Sequence, residues 1–464
     1  MMVWSVCWQH GGVLAPEIED RLPYYLSDGS LPGKLYDSDY LERGMYQARE
    51  LSYFFDFIDC KFIALSIALG VPHFFSLTQY VFLVLISFTL WRFGVEDLKA
   101  QRWIVLLVLL LFWTTPAVFL GGTFFRTAKI GTALTIVVLY RQIYRILSAA
   151  LENPAFHLSW RWWLVCFGWA WASTLFDRQG VFLVGVFAIF LGVWYFCHRD
   201  KTVLKLTGAF LAALVLSLSY NYIIAPLLTL SINHYWPDFK YQHLPWQALA
   251  QKPPFYVGAG ISLYFDVIRF FLGNIPSWGA VLVFVALACL AWATGLWRVE
   301  SKLHFLIALG SFLCLTILIW VMLVLMVLRH ESLIRPELRR LYYLLPVVSL
   351  FAMTLLLALS RLKGHSKLPQ WCLALLLGGA LVGNIVALPR HDAVLRSSIG
   401  GACYQSSPPL LVALRNLRNP RYVVSPEISS NRVYQFFHDG RFSKYPVVLP
   451  PGNHMNVRRK PETN

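Results

Sequence analysis

Residues 206–230 read LTGAFLAALVLSLSYNYIIAPLLTL, and this stretch contains no charged side chain. A helix needs about 20 mostly apolar residues to cross the roughly 30 Å of hydrocarbon in a bilayer. The stretch therefore predicts a membrane-spanning helix, and the same criterion predicts about ten spans along the chain. These predicted spans are residues 74–91, 103–120, 130–147, 162–176, 181–197, 206–230, 277–297, 303–328, 341–360 and 369–388.

The composition of the 464 residues favours the same fold class. Hydrophobic residues make up 57% and charged residues only 14%, whereas an ordinary soluble domain has roughly 25% charged residues. A soluble fold with so few charges could not cover its surface, which excludes a disordered chain, a coiled coil and a nucleic-acid-binding protein. The long unbroken apolar runs also exclude a barrel of short alternating strands. We therefore predict an all-α, polytopic membrane protein.

Three parts of the chain differ in character. Residues 1–73 contain no predicted span, but 38–59 predict an amphipathic helix at the membrane interface. Residues 61–73 either continue that helix or dip into the bilayer. Residues 74–388 form the predicted transmembrane domain, and the polar tail 389–464 is expected to be a small extramembrane segment.

The loops between spans alternate between two faces, and cytoplasmic loops of membrane proteins carry an excess of Lys and Arg. The richer set of loops is expected to be cytoplasmic, which puts the N-terminal stretch and the tail outside. Such a topology leads us to expect a further span before the given chain; the alternative is one wrongly assigned span and the reverse orientation. The basic residues of the richer set are Arg92, Lys99, Arg102, Arg141, Arg145, Arg161, Arg199, Lys201, Lys205, Arg298, Lys302, Arg361, Lys363 and Lys367.

The sequence lacks the common motifs for cofactors. It contains no Cys-x-x-Cys or His-Glu-x-x-His spacing, no Walker loop and no Rossmann glycine fingerprint. We therefore expect no cofactor, while a divalent metal ion stays an open alternative. The net charge of +16 is interpreted as a topology signal and as contact with membrane lipids, and no nucleic acid is expected as a partner.

The first polar cluster on the predicted outer face is Asp37-Ser38-Asp39-Tyr40, which Arg49 follows. Two carboxylates at i and i+2 ahead of an interfacial helix can supply a general base at the membrane surface. Asp37 and Asp39 are therefore the candidate catalytic residues. The alternative is that the Asp-Ser-Asp sequence caps a helix and forms a solvated turn.

Arg126 and Lys129 form the second cluster, because an i, i+3 spacing places them on one face at the start of a span. Cations oppose the macrodipole at a helix N-terminus, whereas an anion is stabilised there. A lipid-linked phosphate would satisfy both the helix end and the two cations. The alternative is that both side chains extend to lipid headgroups.

Asp177 and Arg178 lie in a very tight link between two predicted spans. Ionisable groups held at membrane depth are candidates for function. The alternative is that the two residues form an ion pair with each other within the turn.

The fourth cluster contains Arg329, Arg335, Arg339 and Arg340, close to Pro336. Proline suits the first turn of a helix, so several cations again surround a helix N-terminus. Arginine binds phosphate with a planar fork, which makes a phosphate-bearing ligand a suitable counter-ion. The alternatives are contact with lipid headgroups or an error in the topology.

A long predicted outer loop begins near His234-Tyr235-Trp236 and ends near residue 277. Its aromatic side chains and His234 suit the binding of a sugar. They equally suit the belt of aromatic residues found at membrane interfaces.

These features resemble the GT-C superfamily of membrane glycosyltransferases. Asp37-Ser38-Asp39-Tyr40 is similar to the Asp-Glu-x-Tyr-like setting in the first outer loop of that family. The Asp and the Tyr are kept, Ser38 replaces the Glu, and Asp39 stands in for it. Residues 48–53 (ARELSY) and 176–180 (FDRQG) look like parts of uncharacterised bacterial members.

The resemblance implies transfer of a sugar from a polyprenyl-phosphate donor to a glycan, lipid or protein acceptor of the cell envelope. It also implies a bacterial inner membrane, a site on the outer face, and inversion at the anomeric carbon with Asp37 or Asp39 as the base. The residues implied to stabilise the departing phosphate are Arg126, Lys129 and one or more of Arg335, Arg339 and Arg340. The other expected substrate-binding residues are Arg49, Asp177, Arg178 and His234.

Two other functions fit the same clusters. A transporter or flippase of a lipid-linked or anionic solute would use the cations without a base, and it would show discontinuous helices and charges buried within spans. A polymerase or ligase of surface polysaccharide would share the lipid-phosphate donor and take a lipid-linked glycan as its acceptor.

Overall fold

The computed structural model describes residues 16–41, 48–118, 127–153, 156–237, 269, 338–360, 367–398, 401–440 and 442. Every regular element in this part of the chain is a helix. The N-terminal stretch contains α1 (Pro16–Leu26), α2 (Leu31–Leu35), α3 (Ser38–Leu41) and α4 (Glu50–Ala68). The next helices are α5 (Leu77–Arg92), α6 (Arg102–Thr114), α7 (Ala128–Glu152), α8 (Trp160–Phe176), α9 (Arg178–His198), α10 (Lys201–Ser219) and α11 (Ala225–Asn233). The last are α12 (Leu338–Ser360), α13 (Lys367–Ser398), α14 (Gly401–Arg415), α15 (Pro426–Ser429) and α16 (Arg432–Asp439).

Within the described residues, four helical segments are long and apolar enough to cross a membrane, which confirms the coarse prediction of a helical membrane protein. They are Leu77–Asp97, Ala128–Glu152, Arg178–Phe196 and Lys201–Asn233. Shorter apolar helices at Arg102–Thr114, Leu344–Ser360 and Ala374–Pro389 coincide with predicted spans. The predicted spans at 277–297 and 303–328 lie outside the described residues, so a total of ten is not confirmed.

In the part of the chain that the structure describes, two π-helical turns interrupt the long apolar helices. One, Phe93–Asp97, continues α5, and the other, Tyr220–Ile224, joins α10 to α11. A π-turn inserts an extra residue and turns the side chains on either side of it onto new faces of the helix. Apolar periodicity did not predict either turn.

Helix α7 packs against α5, α8 and α12, and glycine makes one of these contacts possible. A Cβ atom on Gly131 would lie 2.2 Å from Cδ1 of Phe176, so only glycine lets the end of α8 approach α7 this closely. Small residues at such crossings are the usual means by which helices approach in a membrane. The approach brings Phe176, and with it the following link to α9, next to the start of α7.

Three of the apolar helices begin at one end of the bundle, each with a buried carboxylate at its N-terminus. Asp59 of α4 accepts a hydrogen bond of 2.9 Å from a backbone N–H in the first turn of α5. Asp56 accepts one of 3.2 Å from the backbone N–H of Thr127, just before α7, and Asp177 accepts one of 2.9 Å from the start of α9. The partial positive charge of a helix N-terminus stabilises such an anion. We call this end of the bundle the carboxylate end.

Basic residues lie at the opposite end of the bundle. Arg141 forms ion pairs with Glu96 (2.9 Å) and Asp97, and Arg92 pairs with Glu96 at 2.8 Å. From Leu77 to Asp97 a helix rises about 30 Å, which matches the thickness of the hydrocarbon core. By the same rise, Arg92 lies about 22 Å beyond Leu77, and Arg141 lies about 20 Å beyond Ala128. Which leaflet each end faces stays a prediction.

The N-terminal stretch differs from its predicted form. The helix predicted over 38–59 is replaced by the short α3 and the longer α4, which begins at Glu50 and continues to Ala68. One face of α4 packs against α1, α5 and α8 and buries Asp56 and Asp59, which are each only 1% exposed, whereas Phe62 and Leu65 are 40% and 52% exposed. Both carboxylates accept hydrogen bonds from the backbone at the starts of neighbouring helices.

The tail packs against the N-terminal stretch. Leu410 and Leu414 of α14 and Val433 of α16 are buried in one apolar cluster with Leu22 of α1 and Tyr53 of α4. Residues 421–424 belong to no helix or strand. The two segments predicted to share one side of the membrane thus contact each other directly.

Candidate functional site

Three of the predicted substrate-binding residues meet at Asp177. Nη2 of Arg49 lies 3.0 Å from Oδ2 of Asp177, and Nζ of Lys129 lies 2.9 Å from Oδ1. The side chains of these three residues are at most 6% exposed. Arg49 precedes α4, Lys129 is in the first turn of α7, and Asp177 joins α8 to α9, so three distant segments converge here.

The link between α8 and α9 is tight because a single residue, Asp177, forms it. Asp177 has extended backbone angles (φ −159°, ψ 151°), and its side chain caps α9 through the N–H of Gln179. A Cβ atom on Gly180 would lie 2.0 Å from the carbonyl oxygen of Ser173. Glycine at this position therefore lets α9 start directly against the end of α8 and fixes where the Asp177 carboxylate points.

The environment of Asp177 favours its ionised form. Burial raises the pKa of this carboxyl, but the charges of Arg49 and Lys129 and the hydrogen bond from Gln179 outweigh burial, so its pKa lies below the usual value. Lys129 does not extend to lipid headgroups, which was the alternative for this residue, because it is only 3% exposed. Arg178 is half-buried and lies within electrostatic range of both Asp177 and Arg49.

A second buried ion pair fixes the start of α7. Arg21 of α1 contacts Asp56, and Asp56 also accepts a hydrogen bond of 3.0 Å from the hydroxyl of Thr127. The guanidinium of Arg21 in addition donates to the carbonyl of Leu41. This pair joins α1, α4 and α7 and holds Lys129, two residues after Thr127, in its place.

Glu50, which the sequence reasoning did not single out, lies beside the Asp177 cluster. The hydroxyl of Tyr220 hydrogen-bonds to Glu50, and it lies 2.9 Å from the hydroxyl of Tyr36. Burial raises the pKa of Glu50 to about 8, against the hydrogen bonds from its own backbone and from Tyr220. Tyr220 is the first residue of the π-turn that follows α10, so that irregular turn brings its hydroxyl to the carboxyl group.

Asp37 is 2% exposed and is surrounded by tyrosines. Its Oδ2 accepts a hydrogen bond of 2.7 Å from Tyr24, and its Oδ1 accepts one of 3.2 Å from Tyr235. Oδ1 also lies 3.5 Å from the backbone N of Tyr40, which is the helix-capping contact considered as the alternative. Tyr235 belongs to the aromatic loop after α11, so that loop does contact the first polar cluster.

The structure describes the remaining candidate residues only in part. His234 ends α11 with left-handed backbone angles (φ 58°, ψ 26°) and is exposed. Asp39 lies in α3, and Arg339 and Arg340 lie in α12, but their side chains lie outside the described part of the chain. Arg126 and Arg335 lie wholly outside it. Whether these cations reach the Asp177 cluster therefore stays a prediction.

Within the described residues, no group of three or more His, Cys, Asp or Glu side chains could hold a metal ion. Cys60 and Cys166 are buried free thiols.

The sequence did not identify several residues that lie at the carboxylate end. Asp56 and Asp59 lie within the predicted interfacial helix 38–59 and were assigned no role, although each sits in a run of apolar residues. Glu50 and Tyr53 share with Asp56 an i, i+3 spacing on one face of α4, which is the signal that could have identified a buried polar face. Tyr220 had no such signal, because it contacts Glu50 only as a result of the π-turn.

Comparisons with protein-family models, with curated proteins and with solved structures find no match for this chain. Its function must therefore be inferred from the residues of the site and their contacts.

Proposed function

We propose that this protein is a membrane glycosyltransferase of the GT-C type, which moves a sugar from a polyprenyl-phosphate donor to a cell-envelope acceptor. The observation that carries the proposal is the convergence of Arg49 and Lys129 on Asp177 at the carboxylate end. Cations fixed in this way, at the start of apolar helices and at membrane depth, suit the phosphate of a lipid-linked substrate.

The topology supports a site on the outer face. The carboxylate end is opposite the end that bears Arg92 and Arg141, and these residues belong to the basic loops predicted to be cytoplasmic. If those loops face the cytoplasm, as the positive-inside rule predicts, the Asp177 cluster faces the other side. A donor linked to a polyprenyl phosphate would then meet the site in the outer leaflet of the membrane.

The proposed reaction inverts the anomeric carbon. The acceptor hydroxyl attacks that carbon and loses its proton to the carboxylate of Asp37 or Asp39, while the bond from the carbon to the phosphate oxygen breaks. The electron pair of that bond stays on the phosphate. Lys129, together with Arg126 and the arginines at 335, 339 and 340, would stabilise the charge on the departing phosphate, and electrostatic stabilisation of this type is often the largest catalytic term.

The direct test uses the protein in proteoliposomes with a radiolabelled polyprenyl-phosphate sugar and an extract of envelope acceptors. The wild type should release polyprenyl phosphate and transfer the label. Asp37→Asn or Asp39→Asn, whichever removes the base, should lower the rate by about 10²–10⁴-fold, and Lys129→Met should lower it on the order of 10²–10³-fold.

Asp97→Asn is the matched control, because it makes the same change to an ion-paired carboxylate at the opposite end. It should leave the transfer rate unchanged. Wild-type rates in both Asp37→Asn and Asp39→Asn would disprove the assignment of the base. A wild type that transfers no label from any donor, although it is folded, would disprove the proposed reaction.

The second candidate function, transport of a lipid-linked or anionic solute, is favoured by one observation. The segment Lys201–Asn233 is interrupted by the π-turn at Tyr220–Ile224, directly beside buried Glu50, and transporters bind their substrates at interrupted helices. The same proteoliposomes separate the two functions, because a transporter would move the labelled lipid between leaflets without breaking its sugar–phosphate bond.

A further inference from the structure

A set of polar atoms at the carboxylate end is shielded from solvent and has no hydrogen-bond partner among the described residues. They are Oε2 of Glu50, Nε1 of Trp171, and both Oε1 and Nε2 of Gln179. Buried polar atoms in native proteins are paired in about 90% or more of cases, so each exception needs a physical explanation. When several such unpartnered atoms lie at one end of a membrane bundle, the simplest explanation is that a polar ligand binds to them.

Contacts through Tyr220 join two of these residues. Tyr220 hydrogen-bonds to Glu50, and its ring lies 6.4 Å from the ring of Trp171 in an edge-on arrangement of 85°. Glu50 and Trp171, which belong to two different helices, therefore both contact the same tyrosine. The π-turn that carries Tyr220 thus contacts both α4 and α8.

Gln179 ties this group to the charged cluster. Gln179 is 2% exposed, and its backbone N–H donates a hydrogen bond to Oδ1 of Asp177, which in turn pairs with Arg49 and Lys129. A ligand that satisfies the Gln179 amide therefore lies next to the two cations. A chemical group that is bonded to a phosphate held at Arg49 and Lys129 would lie in this position.

The chemistry of the unpartnered atoms indicates what the ligand offers. The indole N–H of Trp171 donates, and the Gln179 amide both donates and accepts. The Glu50 carboxyl, with its raised pKa of about 8, is protonated near neutral pH and also both donates and accepts. Neutral hydroxyl groups satisfy all three, while Trp171 and Tyr220 supply aromatic surface for the apolar face of a ring.

We infer that Glu50, Trp171 and Gln179 bind the hydroxyl groups of the donor's neutral sugar, next to the phosphate held at Arg49 and Lys129. The inference rests on the proposed function and adds the place and the chemical class of the sugar. It selects a neutral polyhydroxylated ring over a charged headgroup, because Glu50 and Gln179 offer no fixed charge to a ligand.

Equilibrium binding to the full chain in nanodiscs tests this subsite, with radiolabelled undecaprenyl phosphate and undecaprenyl-phosphate-glucose as the two probes. The wild type should bind the glucose-bearing lipid at least about 10-fold more tightly than the bare lipid phosphate. Gln179→Leu and Trp171→Phe should each lower this preference about 5-fold, as the loss of one hydrogen bond predicts. Neither change should alter binding of the bare lipid more than about 2-fold.

Two further variants separate hydrogen bonding from folding defects. Glu50→Gln keeps a donor and an acceptor and should keep the preference, whereas Glu50→Leu should lose it. Trp169→Phe changes a tryptophan of the same helix that packs against the main apolar core, and it should bind both lipids as the wild type does. Thermal unfolding of each variant shows whether it is folded.

The outcomes distinguish the two proposals. If the wild type binds both lipids equally, or if folded Gln179→Leu and Trp171→Phe keep the full preference, the sugar subsite is wrong and internal water satisfies these atoms instead. If the folded wild type binds neither lipid, the proposed function itself is wrong and the subsite falls with it.

Discussion

Nη2 of Arg49 lies 3.0 Å from Oδ2 of Asp177, and this pair joins the start of α4 to the link between α8 and α9. Both side chains are almost wholly buried. A buried charge that loses its partner is strongly destabilised, because no water is available to solvate it. The pair, with Lys129 on the other carboxylate oxygen, therefore fixes how three segments of the chain meet at the candidate site.

The first prediction concerns Asp177→Asn, which keeps a side chain able to cap α9 and removes the negative charge. We expect a loss of about 3–5 kcal/mol in stability, because Arg49 and Lys129 would stay buried without this counter-charge. Thermal unfolding in detergent measures the loss.

The control is Glu96→Gln, since Glu96 also contacts two arginines but is half-exposed. Its loss should be only about 0–1 kcal/mol. The double variant Lys129→Met, Asp177→Asn should recover part of the stability lost in Asp177→Asn. An Asp177→Asn protein that unfolds at the wild-type temperature would contradict the role of this carboxylate.

The second prediction concerns Gly180→Ala. The added Cβ atom would lie 2.0 Å from the backbone carbonyl of Ser173, so α9 must move away from α8, and we expect a loss of about 1–3 kcal/mol. The displacement also moves Asp177 from Lys129 and should lower any transferase activity. Unfolding temperature and the transfer assay measure the two effects.

Gly185→Ala is the matched control on the same helix. A Cβ atom there meets nothing within 4 Å, and alanine is the better helix former. The variant should be as stable as the wild type or slightly more so. Equal losses from both substitutions would show that the close approach of α8 and α9 is not what Gly180 provides.

The third prediction concerns the pH dependence that Glu50 imposes. The pKa of Glu50 is raised from 4.5 to about 8 in the folded protein by burial, so the folded state holds its proton more tightly than the unfolded state does. The stability that this proton provides is complete below pH about 4.5 and is lost as the pH rises to about 8. Glu50→Gln should therefore unfold at a higher temperature than the wild type at pH 8.5.

At pH 4.5 the two proteins should unfold at nearly the same temperature, which serves as the internal control. A constant difference between them at all pH values would mean that the effect is one of packing and not of ionisation.

The fourth prediction concerns what holds the tail to the N-terminal stretch. Leu410 is fully buried, whereas the pair of Arg432 with Asp20, 2.9 Å apart, is partly exposed. Leu410→Ala should cost about 2–5 kcal/mol, and Arg432→Ala about 0–1 kcal/mol. Limited proteolysis of the tail and thermal unfolding compare the two variants; a larger effect of Arg432→Ala would show that the ion pair, and not the apolar cluster, holds the tail.

Much of the helical architecture follows from patterns within short segments. The uncharged run at 206–230 lies within the helical segment Lys201–Asn233, because a helix satisfies its own backbone hydrogen bonds and apolar side chains alone decide that it can enter a membrane. The four candidate membrane-spanning segments each overlap a predicted span. The exact ends were less predictable, since charged residues such as Lys201 at a span end continue the helix.

The sequence predicted which residues belong to the candidate site, but it did not predict how they contact one another. Lys129 was singled out at the start of a span, Asp177 in a tight link between spans, and Arg49 after the first polar cluster. Nothing in their sequence spacing says that they contact each other. The alternative for Asp177, a pair with Arg178 within the turn, was just as compatible with the sequence. Glu50, Asp56 and Tyr220 were not identified, because their burial depends on helices that come from other parts of the chain.

The amino-acid sequence by itself determined that this chain forms apolar helices long enough to cross a membrane and which charged residues lie at their ends, because both properties are local. Only the tertiary structure decided which carboxylate faces which cation and which helix start. Those pairings depend on close crossings at Gly131 and Gly180 and on the π-turn at Tyr220–Ile224, where the packing of distant segments, and not local propensity, sets the geometry.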